Sequence, residues 1–286
     1  MVRARAPRTR PGPGPGRGAL LALALGWTAA AAAEPPGRVV SMNLCTDQLA
    51  MMLAAPGQLV SVSRIASDRR VSAMAREAAS YPANGGGAEE VYLLAPDLVL
   101  ADAFSDAATV GMLRRLGVPV VQLASASSME GVGRAISEMG AALGREDEAA
   151  ALRAAFEAAL DALEAEVEAR PRAALYYANG YTLGDGTLAG EILLAAGLSN
   201  VAAELGLPGG GTLPLEVLAL AEVDALVTGE PYPGASRSEA ILDHPVLRAI
   251  REGRAAAGTS TADWVCGTPH VLRAVESMRA LRGRAE

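Results

Sequence analysis

The chain has 286 residues, 51% of them apolar, and its 25 basic and 32 acidic residues give a formal charge of −7 at pH 7. Such an acidic chain is a poor partner for nucleic acid or for an anionic membrane surface. It is long enough for two lobes, each with its own core.

Residues 1–33 stand apart in composition. "MVRARAPRTRPGPGPGRG" carries five arginines and no acid, and "ALLALALGWTAAAAA" adds a short apolar run ending in small residues. Ala31-Ala32-Ala33 before Glu34 fits the small-x-small cleavage rule, so the expectation is a signal peptide over residues 1–33 and export to the periplasm. The apolar run is too short to span a bilayer. No cysteine stands at the cleavage point, so no lipid anchor is expected. Cleavage there removes only basic residues and leaves the remaining chain more acidic still.

From Arg38 onward, short β-rich runs alternate with helical ones. "VVSM", "LVSVS", "DLVLA" and "VPVVQLA" are separated by "TDQLAMMLA", "EEVYLLA" and "ATVGMLRRLG", which predicts a parallel, doubly wound α/β lobe over residues 34–143. Next comes "REDEAAALRAAFEAALDALEAEVEAR", free of Gly and Pro. Leu152, Phe156, Leu160, Leu163 and Val167 form one apolar stripe in it, predicting a single stiff connecting helix over residues 144–170. The alternation resumes with "RAALYYA", "DALVTG" and "AAAGTS", and with the helical segments "AGEILLAAG", "PLEVLALA" and "HVLRAVESMRALRG". A second α/β lobe is thus expected over residues 171–286. Each lobe repeats one phrase: Glu89 lies eight residues before the strand-starting Asp97, and Glu216 eight before Asp224. The lobes therefore read as related pseudo-duplicates.

These residues together resemble one family. "RVVSMNLCTDQL" at the first strand-to-helix turn, "EEVYLLAPDLVLA", the rigid helix, "PLEVLALAEVDALV" and "STADW" are similar to the periplasmic binding proteins of cobalamin, iron-siderophore and haem ABC importers. The resemblance covers nearly the whole chain after residue 33. It implies two α/β lobes bridged by one long helix, a ligand cleft between them, and delivery of a metal chelate or tetrapyrrole to an inner-membrane ABC permease by a monomeric protein. Corrinoid is slightly favoured over ferric siderophore and haem, although the loop "YPANGGGAE" is Gly-rich where a cobalamin binder would offer an aromatic wall. The resemblance also implies that Glu89 and Glu216, one on each lobe, dock onto the permease. The plainer alternative is that each carboxylate compensates a helix N-terminus. An extracytoplasmic sensor or sequestering module of the same fold, without a transporter, is the second functional reading.

Open parallel sheets bind ligands at the loops beyond the carboxyl ends of their strands. Those loops hold Asn43 and Cys45, Arg64, Phe104, Tyr181, Tyr232, Asp263 and Trp264, which are the expected ligand contacts. Rings with a polar handle suit a large amphipathic ligand, and aromatic residues are only 3% of the chain. Core filling or loop cover is the competing role for each ring, and of Tyr176 and Tyr177 one is expected in the core.

No resident cofactor or metal is expected. His244 and His270 lack metal-ligand spacing to another His, Cys or acid. The chain has no G-x-S-x-G, H-E-x-x-H or phosphate loop, so no enzyme activity is expected; Cys266 with His270 four residues on is the one pair a cysteine hydrolase could use. Cys45 and Cys266, the only two cysteines, fall at strand ends on opposite lobes. In an oxidising compartment a disulfide across the cleft, a ligand-contacting role and unpaired structural thiols all remain open.

Overall fold

A computed structural model of the chain describes residue 12 and residues 34–164, 167–229, 236–259 and 261–286. Alternation of β-branched and aliphatic residues produces eleven described strands: β1 (Val39–Ser41), β2 (Leu59–Ser63), β3 (Ala83–Asn84), β4 (Leu98–Asp102), β5 (Val120–Leu123), β6 (Arg172–Tyr176), β7 (Tyr181–Thr182), β8 (Ser199–Asn200), β9 (Gly211–Thr212), β10 (Ala225–Gly229) and β11 (Ala255–Thr259). The helices between them are α1 (Leu44–Leu53), α2 (Ala75–Ala78), α3 (Ala88–Leu93), α4 (Ala107–Arg115), α5 (Met129–Leu143), α6 (Glu146–Leu163), α7 (Leu188–Ala195), α8 (Val201–Glu204), α9 (Leu215–Leu220), α10 (Pro245–Gly253) and α11 (Val271–Ala285). The first sheet runs β3-β2-β1-β4-β5 and the second β11-β10-β6-β8, both wholly parallel, with β7 and β9 forming a small antiparallel pair. The expected fold class, two doubly wound lobes, is what the chain adopts.

Period-two alternation assigns each strand residue to a face. In the first sheet Val39, Leu98 and Leu100 point into a core that they share with α1 and α5, while Val40 and Val99 point outward to Val91 of α3 and Leu113 of α4. In the second, Ala173, Leu175, Ala225 and Val227 enter the same shared core, and Ala174, Tyr176 and Leu226 pack outward against Leu215 and Leu218 of α9. One continuous core thus joins the inner faces of both sheets.

The connecting helix is shorter than its sequence suggests. It ends at Leu163 instead of reaching Arg170, with Glu164 extended (φ −60°, ψ 128°), and so spans 18 residues, about 27 Å. Acidic Glu146, Asp147 and Glu148 favour its start, but no basic residue stands in its last turn. Asp161 and Glu164 instead place negative charge at the negative end of the dipole. Phe156 is buried, Leu152, Leu160 and Leu163 are half-buried against the core, and Val167 falls beyond the helix.

The pseudo-duplication extends to side chains. Asp97 accepts from the backbone N–H groups of Gly37 and Arg38 (3.0 and 2.9 Å), and the Arg38 guanidinium donates to the carbonyls of Leu94 and Ala95 at the end of α3 (2.8 and 3.2 Å). In the other lobe Asp224 accepts from the Arg172 N–H (2.8 Å), and the Arg172 guanidinium donates to the carbonyls of Ala221 and Glu222 at the end of α9. The turn residues so held, Ala95 and Glu222, both take left-handed backbone angles (φ 48° and 50°).

Two features make stability sensitive to chemistry. Cys45 at the start of α1 and Cys266, just ahead of α11, are joined by a disulfide with Cα atoms 5.1 Å apart, 221 residues apart in sequence. Asp47, buried in α1, accepts from the Ser63 hydroxyl and, at 3.1 Å, from the Ser63 N–H; burial, the dominant influence, pushes its carboxyl up to about 6 despite these bonds. A carboxyl raised from 3.8 to about 6 on folding contributes most stability when protonated. Its contribution therefore falls as pH rises across that window, and Asp47→Asn should remove the fall, so that denaturant titrations of the two proteins converge toward low pH and separate toward neutrality; parallel profiles would refute the assignment. Closing so long a loop constrains the unfolded chain by about 5 kcal/mol on chain-entropy grounds. Reductant, or the double change Cys45→Ser with Cys266→Ser, should accordingly lower the denaturation midpoint, and mass measurement after alkylation should find no reactive thiol before reduction.

Candidate functional site

The carboxyl ends of the strands in both sheets open onto a cleft made of two adjoining cavities of about 280 and 470 Å³. The smaller is lined by Asn43, Leu44, Cys45, Thr46 and Leu49 at the start of α1, Asp102 and Phe104 beyond β4, Leu123 to Ala126 beyond β5, Ala135, and Val265 and Gly267 of the other lobe. The larger is lined by Ala126, Ser127, Tyr177, Leu183, Gly186 to Ala189, Trp264 and Val265. Ala126 and Val265 belong to both cavities. The lobes touch there: a Cβ on Gly267 would lie 2.2 Å from the Ala126 Cβ, so only glycine allows this approach, and the Cys45–Cys266 bridge is beside it.

Three helices begin at this cleft, and each is capped by a side chain. Asn43 Oδ1 accepts from the Cys45 N–H at 2.8 Å, Ser128 Oγ from the Gly131 N–H at 3.0 Å, and Thr187 Oγ1 from the Gly190 N–H at 3.2 Å. These caps satisfy part of each helix start and leave its positive dipole end toward the cleft. Asp102, buried, uses its carboxylate to hold the loop it starts, accepting from the Phe104 N–H (2.9 Å) and the Ser105 hydroxyl (3.0 Å). That turn presents the Phe104 ring, 83% exposed, at the lip. Half-buried Trp264 stands in the wall of the larger cavity, on the second lobe.

Among the expected ligand contacts, Asn43, Cys45, Phe104 and Trp264 come together here. Arg64 does not: it lies exposed on the short 3-10 turn after β2, with its guanidinium beside Gly85. Tyr181 sits on β7, 46% exposed, outside both linings, and Asp263 is turned to Arg273 (3.6 Å). Tyr232 lies outside the described residues. Tyr176 is the core member of its pair and Tyr177 the cleft member, as the outward parity of Tyr176 requires. The sequence reading missed the segment Ala124 to Ser127, although it follows β5 and the strand-end rule points to it.

The Cys266 sulfur is committed to the disulfide, so the pairing with His270 offers no thiol nucleophile. Burial, and next Arg273, hold the His270 imidazole below its usual value, which keeps it neutral. Among the described residues no three His, Cys, Asp or Glu side chains gather as a metal-ligand set, and no helix is long and apolar enough to cross a membrane. A larger hollow of about 840 Å³, between the end of α6 and α7, is lined by Met129 at the start of α5 and by Asp161, Glu164, Arg170 and Glu191.

Glu89 and Glu216 take equivalent places, the second residue of α3 and of α9, and both are exposed.

Comparison with known proteins agrees with this geometry. A protein of Halobacterium salinarum named "Cobalamin-binding protein" is 31% identical over 207 residues, covering 71% of this chain and 56% of its own, so the chain spans about half the length of that relative. The apo periplasmic heme-binding protein of Roseiflexus sp. RS-1 superposes with a TM-score of 0.73 at 23% identity, over 87% of this chain and 99% of that one. The periplasmic vitamin B12 binding protein of Vibrio cholerae does so with a TM-score of 0.65 at 18% identity, over 88% and 98%. At these identities the structural likenesses establish the fold. The sequence profile of the family described as "Periplasmic binding protein" matches residues 39–261, and the chain belongs to that family of binding proteins.

Proposed function

We propose that this protein is the periplasmic solute receptor of an ABC importer, that it captures a corrinoid in the cleft and delivers it to an inner-membrane permease, and that it catalyses no reaction. The observation that carries the reading is the cleft itself. Its walls are apolar, with one ring from each lobe, Phe104 and Trp264, and Tyr177 and the starts of three helices border it. Such a site suits a large, flat ligand with an apolar body and a polar edge. The name of the halobacterial relative supports corrinoid over ferric siderophore.

In protein produced from residue 34, Trp264 is the only tryptophan. Cyanocobalamin should quench its emission saturably after inner-filter correction, with hemin and ferrichrome weaker, and calorimetry should give the same order. Emission and heat unchanged at high cyanocobalamin would remove the corrinoid reading. Docking is tested separately. Arginine at both Glu89 and Glu216 should leave cyanocobalamin affinity nearly unchanged and abolish uptake of labelled cyanocobalamin by the native host lacking its own copy, whereas normal uptake would reduce both carboxylates to helix-start charges worth about 0.3–1 kcal/mol each.

A further inference from the structure

Large apolar side chains that stand three quarters or more in water are three among the described residues: Leu93 at 75%, Phe104 at 83% and Leu220 at 83%. Phe104 belongs to the cleft. The other two are one position seen twice, since Leu93 is the last residue of α3 and Leu220 the last of α9. Each follows the exposed glutamate of its helix by four residues and so shares a face with it, one turn away. A leucine left in water forgoes its burial energy, and here it does so at the same place in both lobes. The frame beneath is repeated as well: the Arg38–Asp97 and Arg172–Asp224 clamps bind the carbonyls that close these two helices. Each exposed leucine is thereby held on a fixed turn.

We infer that each lobe carries one docking unit, a glutamate with a leucine one turn on, and that the two units together seat the protein on a two-fold symmetric membrane permease offering a cation beside an apolar recess on each half. The inference rests on the permease reading of Glu89 and Glu216 and adds the leucines to it. The charge selects this occupant. An anionic lipid surface repels both glutamates, and a second copy of so acidic a chain would set acid against acid. Pseudo-symmetric units match a partner that repeats its own surface by two-fold symmetry.

The two members of a unit have separable roles. Exposed charge acts on the association rate and its salt dependence, whereas apolar burial acts on dissociation. Labelled protein from residue 34 would be bound to right-side-out cytoplasmic membrane vesicles of the native host lacking this gene, with protein-free liposomes of the same lipids in parallel. The double change Leu93→Ser with Leu220→Ser should raise the dissociation rate by about tenfold or more and leave the association rate and its salt slope unchanged, each single change giving part of the effect. Thermal melting should be unaltered, because both side chains are exposed. Dissociation at the wild-type rate, equal binding to the liposomes, or loss of a wild-type self-association seen by sedimentation would each overturn the inference. If arginine at Glu89 and Glu216 abolishes vesicle binding while the serine changes do nothing, the leucines fall and the permease reading stands. If the arginine changes have no effect, or wild-type protein shows no saturable binding, both fall together.

Discussion

The inner faces of two parallel sheets end in one shared apolar core, and that packing decides where everything else can go. Val39, Leu98 and Leu100 from one sheet and Leu175, Ala225 and Val227 from the other belong to the same cluster, with Ile136, Met139 and Phe156 of the bridging helices between them. Parallel sheets buried on both faces leave only their strand ends for function. At the carboxyl ends the connecting loops cannot be packed into that core, so they line the cleft. Helices α1 and α5 then necessarily begin at the cleft, because each follows a strand of the first sheet that runs toward it, while α7 reaches the cleft after the β7 turn.

The same packing explains why the lobes resemble one another below the level of fold. A strand that enters the core next to a short outer helix needs its first N–H groups and the helix's last carbonyls satisfied near the surface. An arginine at or just before the start of the strand and an aspartate before its neighbour do both, and the chain uses that solution twice, with Arg38 and Asp97 and again with Arg172 and Asp224. Arg172 is further tied to Glu204 at 2.7 Å, an addition that Arg38 lacks among the described residues.

How far the sequence revealed this differs from element to element. The central strands were legible because their β-branched and aliphatic runs are short and bounded by turn residues, and the equal spacing of Glu89 to Asp97 and Glu216 to Asp224 exposed the duplication. Helix α5 was not legible. It contains Gly131, Gly133 and Gly140, which argue against a helix by propensity, yet a Cβ on Gly140 would lie 2.2 Å from the Ala149 Cβ of α6; the glycine is there for close packing of the two bridging helices. The end of α6 was misjudged for a related reason, since composition kept favouring helix past Leu163 while uncompensated charge opposed it. Within the site, position relative to strand ends predicted Asn43, Cys45, Phe104 and Trp264. It did not predict that Asp263 would be paired with Arg273 or that Arg64 would lie outside the cleft, because such choices depend on neighbours distant in sequence.

Gly267 against Ala126 and the Cys45–Cys266 bridge hold the lobes together where the two cavities meet, and the shared core continues that contact through α5 and α6. Opening the cleft at that contact would require breaking covalent and close-packed contacts together. Short exposed helices α3 and α9 are clamped to sheets that share this fixed base. On the proposed docking reading, that base fixes the spacing at which Glu89 and Glu216 meet the two halves of one permease.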